Sequence, residues 1–238
     1  MNSEPRHAVA LGCRSFSEEI HKRGIHNIQG VLLDMDGTLV DAFTPIVRAM
    51  NQTLKEFGLK ELTALDIRRH TGKGDCSMIA LFGQHKVDAS QRFIEIHDED
   101  YFTGIFPLTG AAALLNDLQK KNIPTAIVTS KGQERAEAQL KHLGWFNKIH
   151  TIIGKLEGRA SKPDPEPLIL ACKDLGVEAE HCIMIGDGTA DMKAAKRAAS
   201  YGIGLTASFS AHELHEAGAI LTFPTLIEVH SWLRAQIR

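Results

Sequence analysis

The run Asp34-Met35-Asp36-Gly37-Thr38-Leu39-Val40-Asp41 follows the apolar stretch Val31-Leu32-Leu33. It reads as a buried strand delivering two carboxylates at its carboxyl end. On extended backbone, residues i and i+2 point to the same side, about 6.5–7 Å apart. Carboxylates that close repel each other and raise one pKa unless a cation intervenes. A hard divalent ion such as Mg2+ resolves the conflict, because it takes carboxylate oxygens and keeps its waters and a substrate phosphate. Gly37 lets the backbone turn without Cβ strain. The same residues also fit a polar strand end closed by an Asp-Gly turn.

Three further groups carry possible chemistry. Ile183-Met184-Ile185-Gly186-Asp187-Gly188-Thr189-Ala190-Asp191 repeats the pattern of an apolar strand running into a Gly-Asp turn. Asp191 falls in the first turn of a helix expected over 189–199, where a carboxylate is favoured by the helix N-terminus or completes a metal site. Val128-Thr129-Ser130-Lys131 sets hydroxyls between a strand and a helix, where free N–H groups make an anion site. Ser130 equally fits a helix N-cap. Lys162, in Ser161-Lys162-Pro163-Asp164-Pro165-Glu166-Pro167, is fixed ahead of three prolines and suits a phosphate as a point charge.

These groups need a scaffold, and the periodicity supplies one. Strands are expected at 31–33, 123–129, 149–153, 182–185, 201–205 and 219–223. Helical segments separate them, with stops at Asn122, Gly144 and Gly176. This alternation implies an α/β fold, a Rossmann-like doubly wound parallel sheet with ligands at the carboxyl ends of its strands. From about 43 to 105 the alternation stops. Ile46, Val47, Met50, Leu54 and Phe57 share a helix face that Gly58 can close, and Thr63 with Asp66 resembles a capping box. Helical patterns recur at 76–82 and 90–101. The expected organisation is an extension over 1–27, with a short helix near Ser17–Ile20, a core from 28–42 and 106–238, and an inserted all-helical cap over 43–105.

Composition narrows the class. With 238 residues, 43% hydrophobic and 24% charged, the chain can build a full core without staples. The net charge of −2 gives no basic excess for nucleic acid. Cys13, Cys76, Cys172 and Cys182 form neither a CxxC pair nor a zinc spacing, which favours a reducing, cytoplasmic setting. No apolar run approaches the roughly 20 residues of a membrane span. Ala8-Val9-Ala10-Leu11 is too short for a secretory core segment. The twelve histidines show no metal spacing.

In this order, the four motifs resemble those of the haloacid-dehalogenase-like hydrolases, and within them the phosphoglycolate-phosphatase-like branch with a helical cap. The resemblance covers about 30–238 and includes Pro107-Leu108-Thr109-Gly110. It implies that Asp34 is a nucleophile forming an aspartyl phosphate and that Asp36 is the acid and then the base. It implies that Thr129, Ser130 and Lys162 hold the phosphoryl oxygens. It also implies Mg2+ on the Asp34 carboxylate, the Asp36 carbonyl and Asp187, with Asp191 behind them. Two positions depart from the family pattern: Gly188 stands where a Ser or Thr is usual, and Pro45 lies one residue late.

Asp36 separates the reactions open to this family. A halide leaves without a proton, whereas an alkoxide needs one. A sugar-phosphate mutase of the β-phosphoglucomutase type keeps both aspartates, but that branch carries a His in the first cap turn, and Asp41-Ala42-Phe43-Thr44-Pro45-Ile46 has none. A non-catalytic binding protein on the same fold is the other alternative. In the loop Arg68-Arg69-His70-Thr71-Gly72-Lys73-Gly74, Lys73 either pairs with an anionic part of the substrate or faces water. The expectation is a cytoplasmic, Mg2+-dependent phosphatase, monomeric or homodimeric, acting on a small phosphorylated metabolite. Phosphoglycolate is the first substrate expected.

Overall fold

A computed structural model describes residues 27–99 and 102–237. The extension expected over 1–27 therefore lies outside the described residues, save Asn27. Six strands form one parallel sheet: β1 (Gly30–Leu33), β4 (Thr125–Gly132), β5 (Thr151–Lys155), β6 (Cys182–Gly186), β7 (Tyr201–Leu205) and β8 (Ala219–Phe223). Their order is β5-β4-β1-β6-β7-β8, so β1 lies between β4 and β6. Alternate residues take opposite faces. Val31, Leu33, Ile127, Ile183 and Ile185 enter one hydrophobic cluster, and Leu32, Ala126, Val128 and Met184 enter another. Burial on both faces is why these strands read as unbroken apolar runs.

Helices cover both faces. On the first lie α5 (Ala111–Lys120), α6 (Gln133–His142) and α10 (Leu226–Gln236), through residues such as Leu115, Leu140 and Val229. On the second lie α7 (Glu166–Leu175) and α8 (Thr189–Arg197), through residues such as Leu168 and Ala194. The short α9 (Ala211–Ala217) packs with Met192 and Ala219. The helix stops sit where the sequence puts them: Asn122 and Gly144 have positive φ, and Gly176 caps α7 in the left-handed conformation.

Among the described residues, four α-helices follow the first strand in the chain before α5: α1 (Phe43–Glu56), α2 (Ala64–Gly72), α3 (Asp75–Ala80) and α4 (Lys86–Glu99). They share their own hydrophobic cluster of Phe43, Ile46, Met50, Leu54, Ile67, Phe82 and Ala89. Thr63 caps α2, its hydroxyl accepting from the Asp66 N–H at 3.1 Å. The two chain crossings that lead in and out are tied by an antiparallel pair, β2 (Val40–Asp41) with β3 (Phe106–Pro107). The periodicity gives no sign of this pair, because two residues carry no pattern.

Two strands differ from the sequence reading by two residues or more, and β1 and β6 by one. β4 starts at Thr125, not Ile123, and runs on to Gly132. Pro124 has no N–H to give a ladder, although its carbonyl still accepts from Val31 at 2.9 Å. Consequently Gly132, not Ser130, caps α6. β5 begins two residues late, at Thr151. Among the described residues, no helix is long and apolar enough to cross a membrane.

Leu115 is fully buried beneath the sheet. Leu115→Ala is expected to lower the unfolding free energy by about 3 kcal/mol, within the 2–5 range for such truncations. Urea denaturation at neutral pH measures it, and a loss below about 1 kcal/mol contradicts close packing around Leu115.

Candidate active site

Because β1 lies between β4 and β6, the carboxyl ends of three adjacent strands bring Asp34, Thr129 and Asp187 together. The Asp34 N–H donates to Ile185 O at 2.9 Å, carrying the ladder one residue past β1. Beyond it the chain folds over its own backbone. The N–H groups of Leu39 and Val40 both donate to Met35 O at 3.0 Å, and Gly37 N–H donates to Val40 O at 2.7 Å. Gly37 has φ +87°, and a Cβ there would lie 2.5 Å from Asp187 Oδ2. A side chain at 37 would therefore be strained and would strike the carboxylate.

The ammonium of Lys162 reaches this point from the loop before α7. It donates to Asp34 Oδ1 at 2.7 Å, Asp191 Oδ1 at 2.6 Å and Val128 O at 2.8 Å, which uses all three protons. Burial alone would lower the Lys162 pKa, but the Asp191 and Asp34 carboxylates raise it well above the ordinary value. The lysine is therefore a fixed positive charge. Asp191 also accepts from the Gly188 N–H at 2.9 Å, at the start of α8. Asp187 accepts from Ser208 Oγ at 3.2 Å and Thr38 Oγ1 at 3.5 Å.

Oxygens of Asp34, Asp187 and Asp191 lie within 4.8 Å of one another, and all three residues are buried. One lysine faces three carboxylates. Burial pushes Asp187 well above the usual carboxylate range, and Asp34 and Asp191 add to the rise. Burial also pushes Asp191 up to about 6, with Lys162 opposing and Asp34 reinforcing. A buried, all-oxygen donor set with excess negative charge fits a hard divalent cation.

The remaining expected residues divide. Thr129 is buried, its hydroxyl accepting from the Lys131 N–H at 3.2 Å. Ser130 lines the same cavity, of about 570 Å³, as Asp34, Asp36 and Lys162. Asp36 is not one of the three clustered carboxylates and pairs with Lys131 at 2.8 Å. Lys73 is exposed and does not line the cavity, although Gly72 and Asp75 do.

Sequence reasoning missed three residues here. Lys131, two residues after Thr129, is a buried cation that fixes Asp36. Its place in the strand-end run was the available signal. Thr38 and Ser208 supply hydroxyls to Asp187 in place of the one that Gly188 lacks. Nothing local marks Ser208. Gly188 has its own reason: a Cβ there would lie 2.5 Å from Gly72 O, so the helical segment rests on the bare backbone at 188. Beside this contact Arg69 pairs with Glu213, donates to Ser208 O at 3.0 Å, and lies 4.6 Å over the Phe209 ring.

The family described as haloacid dehalogenase-like hydrolase matches residues 31–203. The chain belongs to the haloacid dehalogenase-like hydrolases. The motif resemblance, with its phosphoglycolate-phosphatase-like branch, is thereby upheld. The phosphoglycolate phosphatase of Rhodospirillum rubrum is 30% identical over 218 residues, covering 86% of this chain and 90% of that one. The N-acetylmuramic acid 6-phosphate phosphatase of Pseudomonas putida is 31% identical over 177 residues, covering 72% and 79%. A hydrolase structure from Pseudomonas syringae superposes with TM-score 0.77 at 29% identity, covering 88% of this chain and all of that one (100%).

His97, near the end of α4, lines the same cavity as Asp34 and Lys162. Burial, then the charges of Lys131 and Arg135, push it down to about 4 from 6.5. The unfolded chain therefore takes up a proton on His97 first, between pH 6.5 and 4. Its contribution to stability is complete above pH 6.5 and is lost as the pH falls toward 4. Urea unfolding from pH 7.5 to 4.5 is expected to show His97→Phe losing less stability on acidification than the wild type, by up to roughly 3 kcal/mol. Parallel curves for the two proteins would contradict this.

Proposed function

We propose that the chain is a Mg2+-dependent phosphatase that hydrolyses a small phosphate monoester through an aspartyl phosphate on Asp34. The observation that carries this is the Lys162 ammonium held between Asp34 and Asp191, with Asp187 adjoining and Asp36 two residues on. In the first half-reaction an Asp34 oxygen bonds to phosphorus. The ester P–O bond breaks, and the Asp36 carboxyl gives its proton to the departing alkoxide. In the second, water bonds to phosphorus, the Asp36 carboxylate takes the water's proton, and the bond to Asp34 breaks. This restores the Asp34 carboxylate and the protonated Asp36 carboxyl and releases phosphate.

Thr129 and Ser130 hold the phosphoryl oxygens in this reading, and Lys162 meets their charge as a positive charge fixed beside Asp34, exchanging one of its three partners for phosphate. Lys131 positions Asp36. Asp34, Asp187 and the Asp36 carbonyl would hold Mg2+, with Asp191 beside them. When bound, the ion neutralises the crowded carboxylates and the phosphate oxygens together. Residues 43–105 act as the cap and govern which ester enters. Asp36 favours an oxygen leaving group over a halide. Relatives near 30% identity bear the names of phosphatases for different esters, phosphoglycolate and N-acetylmuramic acid 6-phosphate among them. Likeness at this level does not choose the ester, and phosphoglycolate serves as the reference.

Phosphate release from a panel of such esters, with and without Mg2+, tests the reading. Wild type is expected to turn over at least one ester only with the ion. Asp34→Asn, shown folded by circular dichroism, is expected to lose at least about a thousandfold, or about 4 kcal/mol of barrier lowering. Turnover retained in Asp34→Asn, or no release from any ester, overturns it.

A further inference from the structure

The lining that α1, α3 and α4 give the cavity above Asp34 is mostly apolar, with Asp75, Ser90 and His97 as its polar members. Helices α1, α3 and α4 line it with Phe43, Met50, Met78, Ile79, Phe93 and Ile94. Of these, Ile94 is 38% exposed, and Met78, Ile79 and Phe93 are half-buried, so they present apolar surface that an occupant would cover. Among the described residues 43–99, no lysine or arginine lines the cavity. His97 in the same wall is neutral at pH 7, being held near 4 chiefly by burial.

The cations that do line the cavity come from the sheet side, and each is paired with a carboxylate. Lys131 pairs with Asp36 at 2.8 Å, Lys155 with Asp75 at 2.8 Å, Arg135 with Asp98, and Lys162 with Asp34 and Asp191. Two of these pairs, Lys155–Asp75 and Arg135–Asp98, also join the helical segment to the sheet, as does Ser161 with Asp75 at 3.1 Å. They hold the apolar wall over the Asp34 cluster.

Size agrees with this chemistry. A volume of about 570 Å³ lies within the roughly 300–1,000 Å³ of sites that enclose drug-sized ligands. A two-carbon acid leaves most of it unfilled. A carboxylate seated among Phe43, Met50 and Phe93 would give up its water and meet no cation there, only the Ser90 hydroxyl. An alkyl or aryl group there loses nothing and removes apolar surface from water.

We infer that the leaving group is an uncharged, predominantly apolar alcohol, aliphatic or aromatic, seated against the α1–α3–α4 wall, rather than a small carboxylate such as glycolate. This rests on the phosphatase reading and specifies the substrate class of the same site.

The test compares kcat/KM with Mg2+ for ethyl, butyl and hexyl phosphate, benzyl phosphate, phosphoglycolate and acetyl phosphate. Acetyl phosphate reads the phosphoryl-transfer groups without filling the wall. The alkyl series is expected to rise about fourfold per added methylene, the equivalent of about 0.8 kcal/mol for burying one CH2. Phosphoglycolate is expected to fall below hexyl phosphate. Benzyl phosphate outrunning hexyl phosphate assigns an aromatic alcohol, and the reverse an aliphatic one. Ile79→Arg is expected to lower kcat/KM for hexyl phosphate at least tenfold more than that for acetyl phosphate. Turnover of acetyl phosphate with a flat alkyl series, or with phosphoglycolate fastest, overturns the inference and leaves the phosphatase reading standing. No turnover of any ester in folded protein overturns both.

Discussion

Three carboxylates and one ammonium share a space from which water is nearly excluded. Asp34, Asp187, Asp191 and Lys162 are each less than a tenth exposed. Ions so placed lose their hydration and need partners in return. Lys162 meets Asp34, Asp191 and the Val128 carbonyl with its three protons, and Asp187 is left to two hydroxyls. The sheet order answers this demand. Only with β1 between β4 and β6 do the Val128 carbonyl, Asp34 and Asp187 surround one point. The residual negative charge makes the same cluster chemically fit for a hard cation.

The helical segment lines the other part of the cavity. It meets the sheet domain where side chains are smallest, Gly72 on Gly188, and where charges pair, Arg69 with Glu213, Asp75 with Lys155 and Asp98 with Arg135. These pairs are partly exposed, so each contributes little to stability. Their number and spread fix orientation instead. The cluster around Met50 and Phe82 then presents its rim to the cavity. One apolar unit thus serves both as the core of the segment and as the wall of the site.

Legibility in the sequence followed range. Asp34 with Asp36, and Asp187 with Asp191, are readable because each pair is local and follows an apolar strand. The bounds of β7, β8 and α7 are readable for the same reason, with a clear period and a stop such as Gly176. What failed depended on distant partners. Ser208 lies 21 residues from Asp187 in the chain and carries no local mark, and Thr38, inside the first motif, lies 149 away. The pairing of Asp36 with Lys131 spans 95 residues, and extended backbone alone put Asp36 beside Asp34. Gly188 read as a lost hydroxyl until the segment resting on it was placed. Lys73 lay in a suggestive loop, but the chain turns its neighbours Gly72 and Asp75 inward instead.

The most direct test of covalent catalysis by Asp34 is to stop turnover with acid and map the peptides by mass spectrometry. A phosphoryl group is expected on the peptide carrying Asp34, gained during turnover and absent without substrate. Turnover that leaves no adduct there, or leaves one on another residue, would contradict the mechanism.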